Sequence, residues 1–320
     1  MTMMRNSPIP IALTIIALIA AACGGEEQAG NRARLQETAL SGTATITIDA
    51  EIEPLFKAAK AAYDKDYPDA HIELVPESGR QALADLFRLE TRACIVARDL
   101  LPDEDSAQDA GRAASFPRTL IARDALVFYA AKSYPSDTLN AEHIRTWLEG
   151  GQVDMDQYPK GTPAPTFIVP GAGSSVYGNL MKLVTNGKRP RGKLASIEPK
   201  IPTQSSFEFV RERIRASKDL IGVGLLSQFV HDTSVKMLRI GYTDSNGVAV
   251  SPKPVHQGWL VQGLYPYPVP VYIYLKDPPS QYSLPSGFAV YLSRDAKAQR
   301  TFGEAGIEPG HMKIVLVPEE

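Results

Sequence analysis

From Thr43 onward the chain alternates. Thr43-Ala44-Thr45-Ile46-Thr47-Ile48 places an apolar side chain at every second position, the pattern of a strand with one buried face. The turn Asp49-Ala50-Glu51 follows, and Ile52, Leu55, Phe56, Ala59 and Tyr63 then recur at helical spacing to about Asp66. His71-Ile72-Glu73-Leu74-Val75 alternates again and ends in Glu77-Ser78-Gly79, ahead of a helix with Leu83, Leu86 and Phe87 on one face. A third apolar run, Cys94 to Ala97, closes in Arg98-Asp99. Strand–turn–helix units in succession predict an α/β fold with a parallel sheet and right-handed crossovers. Ligands of such sheets bind at the carboxyl ends of the strands. The turns 49–51, 77–79 and 98–99 are therefore expected on one edge.

Further along, Arg118 to Ala131 reads as one long strand and Ser136 to Gly150 as a short helix stopped by glycine. Phe167-Ile168-Val169 is a strand end, leading through Pro170-Gly171-Ala172-Gly173-Ser174-Ser175 into a helix with Leu180, Leu183 and Val184 inward. Ser205-Ser206-Phe207-Glu208 predicts a capping box for a helix bearing Phe207, Val210 and Ile214. Ile221-Gly222-Val223-Gly224-Leu225-Leu226 predicts a buried strand with glycines at a close approach. The proline-stiffened run Tyr265 to Tyr274 suits an edge or a crossing between domains. A last strand is expected over Lys313 to Val317.

The amino terminus carries different chemistry. After Arg5, the apolar run Ile11 to Ala22 is too short for a permanent span, which needs about 20 residues. It fits the core of an export signal. Ile19-Ala20-Ala21-Ala22-Cys23 resembles a bacterial lipoprotein cleavage site, with Ala20 where leucine is usual, so residues 1–22 are expected to be removed and Cys23 lipidated. An ordinary secretory signal is the alternative. Residues 23–41 read as a flexible tether, reaching about 25 Å as a coil. The remaining cysteine, Cys94, lies in an apolar run and is expected in the core. The five histidines are scattered at 71, 143, 231, 256 and 311, so neither a metal nor another cofactor is expected. A formal charge of −2 argues against nucleic acid as a partner. Cleavage leaves about 300 residues, enough for two modest domains.

The glycine–serine turn at 170–176 holds the strongest candidate chemistry. Glycines let backbone N–H groups converge, serine hydroxyls add donors, and the following helix offers its unsatisfied first N–H groups. That combination suits a phosphate, sulfate or carboxylate. The same residues also suit a plain turn with an N-cap serine.

Taken in order, these pieces resemble the substrate-binding proteins of phosphate ABC transporters, in the two-domain periplasmic binding protein superfamily. The marks are Asp137-Thr138-Leu139-Asn140-Ala141-Glu142-His143-Ile144 with Trp147-Leu148-Glu149-Gly150, the Gly173-Ser174-Ser175 turn, Ile221-Gly222-Val223-Gly224, and the Tyr-Pro run ending at Tyr274. The resemblance implies mostly parallel sheets flanked by helices and a ligand cleft between domains. Residues 42–124 plus 268–318 would form one domain and 125–267 the other. It also implies a monomeric, non-enzymatic protein that binds inorganic phosphate or a related oxyanion for ABC transporter membrane subunits, anchored by lipid on Cys23 and facing the periplasm or exterior. The family's binding residues carry over unevenly. Ser78, Asp99 and Ser174 match, with Gly79, Gly173 and Ser175 beside them. The first-turn threonine falls near Ala50, flanked by Asp49 and Glu51; the arginine ahead of the Gly/Ser turn falls near Pro170, and a further threonine near Val176. Arg98 is a candidate to supply the missing charge. Asp99 would accept the proton of hydrogen phosphate and so repel sulfate.

Two other classes of function compete with this reading. Catalysis lacks its motifs: there is no Gly-x-Ser-x-Gly elbow and no Ser-x-x-Lys pair, and Leu194 spoils the phosphate-loop spacing of Gly187 to Lys193. A binding-fold lipoprotein that senses, scaffolds or binds another anion, without a transport role, is the rival that the altered site leaves open.

Overall fold

The computed structural model describes residues 37–110, 116–197, 205–277 and 281–311. Strand β1 (Gly42–Asp49) buries Ile46 and Ile48 and pairs in parallel with β2 (Ala70–Glu77) and β3 (Ala93–Val96). Helix α1 (Glu53–Asp66) joins β1 to β2, and α2 (Gly79–Phe87) joins β2 to β3. After α3 (Pro102–Ala110), the 14-residue β4 (Arg118–Ala131) runs through both halves of the molecule. Its first half pairs antiparallel with β12 (Pro268–Leu275) and its second half with β8 (Leu220–Leu225). Beyond β8 the sheet continues in parallel through β6 (Thr166–Pro170) to β7 (Leu194–Ile197). The result is a curled, mostly parallel sheet in order β2-β1-β3-β12-β4-β8-β6-β7, with β9 (Val235–Met237) and β13 (Glu308–Pro309) on β4. Thus β4 belongs to two lobes at once.

The first lobe takes its remaining helices from the end of the chain. Helices α8 (Leu284–Arg294) and α9 (Ala296–Glu304) pack on α1, where Phe56 meets Phe302 edge-on at 5.3 Å and Tyr63 meets Phe288 at 4.8 Å. The second lobe holds α4 (Ala141–Leu148), α5 (Ser175–Asn179) with a widened turn over Leu180–Val184 and α6 (Phe207–Arg215), whereas α7 (Gln257–Val261) packs by β13, with Gln257 Nε2 donating to the Gly303 carbonyl. The second lobe also carries a small sheet, β11-β10-β5, from Ala249–Lys253, Arg239–Thr243 and Thr138–Asn140.

Several details differ from the sequence reading. The helix expected from Ser136 starts at Ala141, because Asn140 caps it by accepting the N–H groups of Glu142 and His143 at 2.8 and 3.3 Å. The preceding Thr138–Asn140 is extended and pairs with β10. The expected tether ends early: Glu37 accepts both Arg92 Nη groups at 2.6 and 2.8 Å and the Leu284 N–H at 2.9 Å. Gly287 makes room for that segment, since a Cβ there would lie 1.9 Å from the Ala39 carbonyl oxygen. The proline-rich strand β12 lies inside the sheet, not at its edge. Its prolines, Pro268 and Pro270, pair with β4, whereas the pairing with β3 runs over Tyr272 to Leu275. The strand expected at Lys313 to Val317, the signal segment and Cys23 lie outside the described residues. No helix among the described residues is long and apolar enough to cross a membrane.

The glycines of β8 are space requirements. A Cβ on Gly222 would fall 2.3 Å from the Tyr129 ring, and one on Gly224 would fall 2.9 Å from Phe229. Both rings are buried and meet in a tilted contact, 4.3 Å between centroids. Gly222→Ala is therefore expected to cost about 1–3 kcal/mol by overpacking, read as a lowered urea midpoint with an unchanged slope.

Candidate functional site

The turns that end β1, β2 and β6 meet at the seam between the lobes. Ser78 caps α2 by accepting the Gln81 N–H at 3.2 Å, and Ser174 caps α5 by accepting the Tyr177 N–H at 3.1 Å. The Arg80 N–H then crosses the seam to the Gly173 carbonyl at 2.9 Å. Glycine permits this approach on both sides. A Cβ on Gly173 would sit 3.0 Å from Ser78 Oγ, and one on Gly79 would sit 2.4 Å from Ser175 Oγ. Ser175 Oγ is buried without a hydrogen-bond partner, and Val176 beside it is part of the core. Ser78, Gly79, Gly173, Ser174 and Ser175 are thus brought together, with both capping roles used internally.

Asp49 enters the same place from the end of β1. Its carboxylate is buried; Oδ1 accepts the Glu51 N–H at 3.1 Å, and Oδ2 has no partner. Oδ2 would lie 2.9 Å from a Cβ on Gly79, so it shares the cramped space occupied by Ser175 Oγ. Burial pushes the Asp49 carboxyl above its ordinary range, opposed by the Ser175 hydroxyl and N–H, the Glu51 N–H and the Arg98 charge.

Glu51 reaches farther across. It accepts the Ser205 hydroxyl at 2.6 Å, the Ser206 N–H at 2.9 Å and Gln228 Nε2 at 3.2 Å, all from the second lobe. These donors lie at the amino end of α6 and in the turn after β8. The capping box expected at Ser205 to Glu208 does not form. Ser206 caps nothing with its side chain, Glu208 pairs with Arg211, and the carboxylate at this helix end is Glu51. Burial, with Asp49 nearby, pushes the Glu51 carboxyl up to about 7. Tyr129 from β4 lies within electrostatic reach, its hydroxyl buried and unpartnered. Ala50 is buried between the two acids and its N–H is tied to the Glu77 carbonyl at 2.8 Å.

Arg98 and Asp99 are each committed to other partners. The Arg98 guanidinium is buried and forked onto Glu104 at 2.6 and 2.7 Å, which compensates its charge inside the protein. Asp99 stands on the rim, where Arg118 meets one oxygen at 2.7 Å and Lys182 the other at 3.1 Å. Lys182 belongs to the second lobe, and beside it Asn179 Nδ2 donates to the Ala97 carbonyl at 2.6 Å. Arg118 and Lys182 escaped the sequence reading. Lys182 had a signal, since it stands seven residues after Ser175 and so on one helical face with it.

Among the described residues, no group of three or more His, Cys, Asp and Glu side chains could hold a metal ion. The basic loop at 187–193 spends its Arg191 and Gly192 N–H groups on the Leu148 carbonyl, at 2.8 and 2.9 Å. They do not form a phosphate loop.

Two lobes joined through β4, with helix-capping turns facing each other across a seam, define a two-lobed α/β architecture. The sequence agrees: a family model described as a PBP superfamily domain matches residues 35–296, and the chain belongs to that superfamily. Nothing among curated proteins matches the sequence. Solved structures share the fold at low identity. A candidate phosphate ABC transporter substrate-binding protein from Clostridium perfringens, with bound phosphate, is 14% identical at a TM-score of 0.62, over 84% of this chain and 99% of its own. An ABC-type phosphate transport receptor from Vibrio cholerae is 14% identical at 0.61, over 84% and 100%. The regulatory domain of Synechocystis PCC6803 CcmR, in complex with 2-PG, is 13% identical at 0.51, over 79% and 96%.

Two predictions follow from these electrostatics. Asp49, Glu51 and also Asp124, pushed by burial to about 6, hold protons more tightly folded than unfolded. Their contribution to stability is full below the ordinary carboxylate range, about pH 4, and is lost as pH rises through 6 to 7. The thermal midpoint should fall by roughly 5 °C between pH 5 and pH 8, and Glu51→Gln should flatten that slope. A midpoint that climbs over the same interval would contradict the raised carboxyls. Separately, Glu104→Ala strands the buried Arg98 charge and should cost about 3–5 kcal/mol in denaturant unfolding.

Proposed function

We propose that this chain is an exported solute-binding lipoprotein, lipidated at Cys23, that takes inorganic phosphate or a related oxyanion between its lobes for an ABC-type importer. It acts as a monomer and is not an enzyme. The carrying observation is the seam itself, where Arg80 N–H meets the Gly173 carbonyl across the lobes and Ser175 Oγ is buried beside it without a partner. Membership of the superfamily and the fold shared with two phosphate transport proteins support the choice of anion. The lobes are assigned as 42–124 plus 268–318 and 125–267, so that β4 and β12 form the hinge. Ser78, Gly79, Gly173, Ser174 and Ser175 supply the donors, and the paired cations Arg118 and Lys182 around Asp99 draw the anion to the rim.

A second reading has its own observation. Asp49 and Glu51 already span the seam, which favours a sensor or scaffold that does not depend on an external anion for closure. Calorimetric titration of the purified protein with phosphate and with sulfate separates the two. On the transport reading phosphate binds with micromolar affinity, sulfate does not compete, and Ser175→Ala weakens phosphate binding tenfold or more, since one hydrogen bond to a charged group is worth about 1.5–3 kcal/mol. Absence of heat with phosphate would favour the second reading.

A further inference from the structure

We infer that the Asp49-Ala50-Glu51 turn is an internal ligand of this cleft: its two carboxylates hold the lobes together without an external anion, and an oxyanion enters only in competition with Asp49. The first half rests on geometry alone; the second rests also on the oxyanion reading above.

Both acids come from one turn of the first lobe, and both meet the second lobe. Glu51 stands at the amino end of the nine-residue α6, where Ser205 Oγ, Ser206 N–H and Gln228 Nε2 converge on it. Gln228 Nε2 also reaches the Glu51 carbonyl at 3.1 Å. A helix end with a serine hydroxyl and a backbone N–H aimed at one point is what a free oxyanion would use. Here the chain supplies the anion. Asp49 stands at the amino end of α2, against Ser175 of the second lobe. Its Oδ2 and Ser175 Oγ are both buried and unpartnered, so the space between the turns already contains one carboxyl oxygen.

The turn cannot swing away locally. Oδ1 of Asp49 is tied to the Glu51 N–H, the Ala50 N–H is tied to Glu77, and Ala50 is itself buried. Withdrawal of the carboxylates therefore requires separation of the lobes. An arriving oxyanion faces a fixed carboxyl group, and the Arg98 charge that acts on it is already paired with Glu104. Asparagine at position 49 would keep the Oδ1 acceptor for Glu51 N–H, remove the charge, and present an amide donor where Oδ2 now stands.

Small-angle scattering and phosphate calorimetry on the purified protein test both halves. The ligand-free wild type should be compact and should not contract further with phosphate, whereas the Asp49→Ala/Glu51→Ala variant should expand. Asp49→Asn should bind phosphate at least tenfold more tightly than wild type. If the double alanine variant does not melt cooperatively, Asp49→Asn/Glu51→Gln takes its place in the scattering comparison. A wild type that is extended without ligand, or a double variant as compact as wild type, overturns the clasp. Unchanged or weaker phosphate binding by Asp49→Asn overturns the competition. If neither protein binds phosphate while the double variant still expands, the phosphate reading fails and the internal clasp stands.

Discussion

Removing two carboxylates from water at the end of one strand is the constraint around which this cleft is organised. A buried carboxylate is tolerated when donors surround it or when it takes up a proton. Glu51 has donors, and all of them are borrowed from the opposite lobe. Asp49 has the Glu51 N–H on one oxygen and only the crowded Ser175 beside the other. Each lobe taken alone would leave these groups, or their partners, facing solvent. The acids and the serine turns therefore make sense only as a pair of facing surfaces.

The scaffold supplies the precision that such a seam requires. Parallel strands β1, β2 and β6 deliver their turns to the seam, and the glycines at 79 and 173 let backbone meet backbone there. Strand β4 runs from one lobe into the other, pairing with β12 in the first and with β8 in the second, so the same ladder that joins the lobes also aligns the turns. The buried Arg98–Glu104 pair and the Asn179–Ala97 hydrogen bond add polar contacts on the α5 side of the interface. They set the spacing at which the two capping turns face each other.

Local order in the chain was enough to read the fold. The alternation of Thr43 to Ile48, the helical stripe through Phe56 and Tyr63, and the Gly222/Gly224 strand are properties of near neighbours, and near neighbours decide whether a face can be buried. The same holds for the serine turns, whose capping role depends on a few consecutive residues. What the residues around Ser205 did locally was misleading for the same reason. Ser205-Ser206-Phe207-Glu208 has the spacing of a capping box, yet a carboxylate more than 150 positions away, Glu51, takes the donors.

The sequence by itself determined the first three strands with the turns that end them, the long strand from Arg118 to Ala131, the buried glycine strand and the burial of Cys94. Only the tertiary structure decided which charges act at those turns. It paired Arg98 with Glu104, set Asp99 on the rim between Arg118 and Lys182, and drew Asp49 and Glu51 into the seam. The physical reason is range. Secondary structure and caps arise between residues a few positions apart, whereas the state of a charge depends on which distant groups folding brings within a few ångströms and on how much water it leaves between them.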